Sequence, residues 1–152
     1  MKGDYLILMK KILLPSLILA VSAFAAACGG GNTASGPNTA GKEIKSGSVG
    51  NNLTATLSNS DGNLRKGKQT VTLKFADQSG NPVDVGAASL NFHMPAMGTM
   101  AVMNNAATLT TTGTPGIYSG EVNLEMAGEW QAQIAYQGPA GSGKVNLPVT
   151  AK

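Results

Sequence analysis

The chain has 152 residues, of which 42% are apolar and 12% charged, with 11 basic and 8 acidic side chains. That suits one globular domain with a tail and leaves no room for a second domain of ordinary size. A single Cys excludes an internal disulfide, and a single His among few carboxylates leaves little material for the commoner hydrolytic centres.

In chain order, Met9, Lys10 and Lys11 lead into an apolar run from Ile12 to Phe24, then Ala25, Ala26, Ala27 and Cys28. A basic start, a short apolar segment and small residues read as a signal peptide over residues 1–27. The run falls short of the roughly 20 apolar residues that span a bilayer. Either Met1 or Met9 can serve as the translation start. Cys28 with Gly29, Gly30 and Gly31 behind it resembles the lipobox of a bacterial lipoprotein. That resemblance implies cleavage before Cys28, acylation of its thiol and new amino group, and a membrane anchor. The domain then sits in the cell envelope, facing the periplasm or the exterior. Lys2, Lys10, Lys11 and Asp4 lie in the leader, which leaves 8 basic and 7 acidic groups and a net charge of +1 in the mature chain. Such a balance gives no support to nucleic-acid binding.

Residues 28–51 hold the acylated Cys and then GGGNTASGPNTAGKEIKSGSVGN, rich in Gly, Ser and Thr and nearly free of large apolar residues. The stretch reads as a flexible linker, whose root-mean-square span as a coil is about 25 to 30 Å. From 52 to 152 the pattern becomes alternation with period two. Val71, Leu73 and Phe75 alternate with Thr70, Thr72 and Lys74, and Val122, Leu124 and Met126 with Glu121, Asn123 and Glu125. Turn-forming residues at 77–82, 113–116, 127–128 and 138–143 separate the runs. Strands are expected near 52–58, 68–76, 87–94, 106–112, 117–126, 129–137 and 144–151. Seven short strands at this spacing predict an all-β, antiparallel immunoglobulin-like β-sandwich, with a small barrel as the alternative.

No nucleophile with a base and no paired carboxylates emerge from this reading, so enzyme activity is not expected. GPAGSGK at 138–144 lacks the ending and the helix of a phosphate loop. What stands out is HMPAMGTM at 93–100, where Met94, Met97, Met100 and Met103 recur every third residue beside His93. Thioether sulfur is a soft, neutral ligand, which favours Cu(I) over Mg, Ca or Zn. In a strand through Leu90, Phe92 and Met94, those three face one way and His93 the other, so Met94 belongs to the core and His93 is reachable from solvent. Pro95 and Gly98 then break the strand, placing Met97, Met100 and Met103 on a loop as the expected ligands. His93, Met94 and Met126 are additional candidates. Met is also a flexible core filler and an adaptable binding residue, so the alternative is a structural or interaction module that docks a Met-rich loop on a membrane-protein partner.

MPAMG at 94–98, GIYSG at 116–120, and Val122 to Met126 followed by Gly128-Glu129-Trp130 resemble the FixH-like and YtkA-like domains, and the likeness covers roughly residues 50–151. The resemblance implies an exported or membrane-anchored immunoglobulin-like sandwich concerned with copper handling and with assembly of copper-containing oxidases, or associated with heavy-metal efflux. It carries the family's Met positions onto Met94, Met97 and Met126, and its Pro, Gly, Tyr and Trp positions onto Pro95, Gly98, Tyr118 and Trp130. Many members place a His shortly after the second Met, where this chain has Met100, a departure that points toward Cu(I) rather than Cu(II). The reading is therefore a lipid-anchored protein that captures Cu(I) and hands it to a copper-accepting or efflux membrane protein.

Overall fold

The computed structural model describes residues 41–152. The expected signal peptide at 1–27, the acylated Cys28 and the linker as far as residue 40 lie outside the described residues. Nine strands are present among those described: β1 (Lys42–Gly50), β2 (Leu53–Asn59), β3 (Gly67–Ala76), β4 (Ala87–Met94), β5 (Met103–Ala106), β6 (Thr108–Thr111), β7 (Ile117–Leu124), β8 (Gly128–Gly138) and β9 (Gly141–Ala151). They form two antiparallel sheets, ordered β1-β2-β3-β7-β6 and β5-β4-β8-β9. The domain is thus an all-β sandwich, as the alternation predicts.

Two strands exceed the seven expected. The first is β1, which corrects the linker boundary: residues 42–50 are not linker but an edge strand paired with β2 from Lys42↔Asn59 to Gly50↔Leu53. Its irregular alternation hid it. Bulges between Glu43 and Lys45 and between Ser48 and Gly50 reset the pleat, so that Ile44, Gly47 and Val49 are the less exposed positions at uneven spacing. Small residues here serve packing rather than flexibility. A Cβ at Gly47 would sit 2.5 Å from Leu147 Cδ2, so any larger residue would push that methyl aside where β1 packs against β9 of the other sheet.

The second is β5, which occupies Met103–Ala106 where a loop is expected. The chain crosses at Ala107 from the β5 edge of one sheet to the β6 edge of the other, its amide donating to Leu90 O at 2.9 Å. One run of residues thereby closes the side of both sheets.

The core lies between the sheets. Phe75 from β3, Phe92 and Leu90 from β4, and Trp130 and Ile134 from β8 are buried, each stabilising the fold by about 1.5–3 kcal/mol. Phe75 meets Tyr118 and Tyr136 edge to face, at centroid separations of 5.9 and 5.5 Å. The Tyr118 hydroxyl donates to Gly86 O at 2.6 Å. Burial, and secondarily the Asp84 carboxylate, hold that phenol above its ordinary value of 10.0, so it stays a donor.

Candidate functional site

The β4–β5 hairpin carries most of the expected ligands. Its ladder runs Asn91↔Ala106, Phe92↔Asn105, His93↔Asn104, Met94↔Met103. After a gap at Pro95 and Ala96 it resumes at a bridge between Met97 and Met100 in the same register. Met97 N–H donates to Met100 O at 3.3 Å and Met100 N–H to Met97 O at 2.9 Å. Gly98 has φ +58°, while Thr99 keeps an ordinary negative φ. That combination makes Gly98-Thr99 a two-residue hairpin turn of type II′, in which glycine is favoured at the first central position.

Register decides which thioethers meet. Met94 is buried, at 2% exposure, and its opposite number Met103 packs against the core. Met97 lies an odd number of residues further on, so the pleat turns it to the outer face, where it is 51% exposed. Directly opposed residues share a face, with Cβ atoms about 4.5–5.5 Å apart, which puts Met100 beside Met97. The expected trio is therefore divided: Met97 and Met100 come together at the tip, and Met103 goes inward with Met94.

Met126 follows β7, is half-buried and packs against the core. Its carbonyl accepts from the Trp130 indole at 3.2 Å. The Met94 methyl reaches the same turn, since a Cβ on Gly128 would lie 3.2 Å from it. Met126 thus belongs to the inner group with Met94 and Met103.

His93 lies on the outer face with the tip, half-buried, its Nδ1 2.9 Å from Asn104 Oδ1. Asn91 Nδ2 donates to the same oxygen at 3.4 Å and to Gln133 Oε1 at 3.0 Å. Met97 and Pro95 border a shallow hollow of about 210 Å³ on the outer face of β8 and β9, reached also by Gln131, which pairs with His93, and by Glu129. Neither Asn104 nor Asn91 was among the residues that sequence reasoning singled out. Centring the hairpin on Gly98-Thr99 would have paired 93 with 104 by counting outward from the turn.

The outer face of the hairpin carries two thioethers at its tip and one imidazole four residues nearer its base, with no charged side chain between residues 91 and 106. No cluster of three or more His, Cys, Asp or Glu able to hold a metal exists among the described residues. The two tip thioethers suit a soft monovalent cation, and the hairpin itself carries no carboxylate, Glu129 of β8 being the acidic group on the hollow that Met97 borders.

Residues 48–135, more than half of the chain, match the YtkA-like family. The match contains Pro95, Gly98, Tyr118 and Trp130, on which the motif resemblance rests. Comparison with curated proteins and with solved structures finds no match.

Proposed function

Because this chain belongs to the YtkA-like family, and because its hairpin tip pairs the exposed Met97 with the half-buried Met100, we propose that it is an exported, lipid-anchored protein that captures Cu(I) and passes it on. The observation that carries the reading is the mutual pairing of Met97 and Met100 across the Gly98-Thr99 turn. Thioether bonds are weak and exchange readily, and a site on an exposed turn can be approached by an incoming donor while the first ligands still hold the metal. Handover then proceeds by ligand exchange to a copper-accepting membrane protein, with acylated Cys28 keeping the domain near the bilayer. The protein binds and transfers without catalysing a reaction.

Titration of the full-length, detergent-solubilised protein with Cu(I) against a competing chelator tests this. Met97→Leu with Met100→Leu keeps the apolar bulk and removes both sulfurs. We expect affinity to fall by at least roughly tenfold, equivalent to about 1.4 kcal/mol. Equal binding by the wild type and the double variant would sink the reading.

One observation favours a second reading, docking on a protein partner: among the described residues the exposed large apolar side chains are Met97 and Val102, at 51% and 50%, and both lie on this hairpin. Val102→Ser separates the two. It leaves Cu(I) affinity unchanged if the tip is a metal site and weakens membrane-partner association if the hairpin is a docking surface.

A further inference from the structure

We propose that the end of the sandwich at which the chain enters docks on the lipid bilayer, with the uncharged hairpin tip at 95–102 dipping into the headgroup layer. The proposal rests on the acylated Cys28 of the reading above and not on its metal.

A chain of contacts brings the tip and the entry point to one end. β4 pairs with β8 from Ala87↔Gln137 to His93↔Gln131, so the tip that follows Met94 projects beside the start of β8. The start of β8 pairs with the end of β9, Gly128 with Ala151. Ala151 in turn bridges Leu64, while Lys152 N–H donates to Leu64 O and Lys66 N–H to Lys152 O, both at 2.9 Å. In the same loop a Cβ on Gly62 would lie 3.1 Å from the Cβ of Lys42, the first residue of β1. Cys28 precedes Gly41, where the described residues begin, by thirteen positions, which reach at most about 45 Å. The shortest path to the bilayer is therefore from this end.

The chemistry of the tip suits that neighbour. Pro95, Ala96 and Ala101 are exposed along with Met97 and Val102, and no charged side chain occurs between residues 91 and 106. Such a surface gains by leaving water and has no charge to desolvate. Around it Lys42, Lys66, Lys68 and Lys152 are exposed against Glu43, Glu125 and Glu129, and Arg65 is paired with Asp61. With charge this close to balance, anionic headgroups are neither strongly attracted nor strongly repelled, and the apolar tip decides. A small apolar contact is enough, because the acyl chain already supplies a high local concentration. Docking holds the tip at the bilayer surface, where a membrane-bound acceptor is met.

The test uses the full-length protein, purified with its acyl chain into nanodiscs of phosphatidylcholine and phosphatidylglycerol in which some phospholipid carries a gadolinium chelate on its headgroup. The amide signals of Gly98 and Val102 should broaden strongly, while those of Gly80 and Gly113, in turns at the opposite end, stay sharp. High salt should leave this contrast in place, since apolar contact is not screened. Val102→Leu should keep it, and Val102→Asp should lower the docked-to-undocked ratio about fivefold or more from headgroup repulsion alone. Equal broadening at both ends, a contrast lost in high salt, or no effect of Val102→Asp overturns the proposal while the anchor stands. Sharp signals at both ends in these protein-free discs also overturn it and leave the hairpin to a protein partner. If mass spectrometry finds no acyl chain on Cys28, the anchor reading fails and takes the proposal with it.

Discussion

The base and the tip of one hairpin use the same residue type in opposite ways. At the base, Met94 opposes Met103 and both turn toward the core. At the tip, Met97 opposes Met100 with its side chain in solvent. Each partner in one pair is three residues from its counterpart in the other, and an odd step along a pleated strand changes the face. A spacing of three therefore divides a set of residues in a strand, although it would gather them on one side of a helix. The metal-binding capacity of a Met cluster depends on which of these geometries it enters.

The largest expected effect that separates the two pairs is on stability. Met94→Ala removes buried atoms beside Gly128 and should cost about 2–5 kcal/mol, whereas Met97→Ala should stay within about 0.5 kcal/mol of the wild type. Urea unfolding of the two variants reads the difference directly, and equal costs would break the comparison. A smaller effect is expected at the turn. Gly98→Val forces a β-branched residue into φ +58°, at about 1–2 kcal/mol. That cost should fall on local opening of the tip, seen as faster hydrogen exchange at the Met97 and Met100 amides, with the exchange of the buried β4 amides little changed.

The smallest effect lies away from the hairpin, which has no carboxylate of its own. Asp77 accepts from the amides of Asn81 at 3.0 Å and Ser79 at 2.8 Å. These bonds, that of Asn81 foremost, outweigh a slight desolvation and hold its carboxyl below the ordinary 3.8. A depressed folded value means that the folded state sheds its proton first, so the contribution to stability is present above 3.8 and disappears as pH falls through the folded value. The group is exposed, so the effect is slight. Asp77→Asn should remove it, flattening the acid side of the unfolding midpoint while leaving Cu(I) binding at the tip untouched.

Much of this was legible beforehand. Leu90, Phe92 and Met94 are buried in alternation, and Gly98 marks the turn, because a pleat and a two-residue turn are written in neighbouring residues. β1 was not legible, since its bulges at Glu43/Lys45 and Ser48/Gly50 erase the period that would announce it, and its glycine at 47 answers to Leu147, a hundred residues away. Met103 was misplaced for a related reason: polar Asn104 and Asn105 suggest a loop, yet Asn104 is satisfied by His93 and Asn105 Nδ2 by Asn123 O at 2.8 Å.

The sequence by itself determined an all-β domain, its core-facing positions and the presence of a soft donor cluster, all of which follow from residue type and local period. Only the tertiary structure decided which sulfurs share a face, that β1 belongs to the sandwich, and that the lone imidazole has an amide partner. Those outcomes depend on register and on contacts between distant strands, where a single bulge or an odd step exchanges inside for outside.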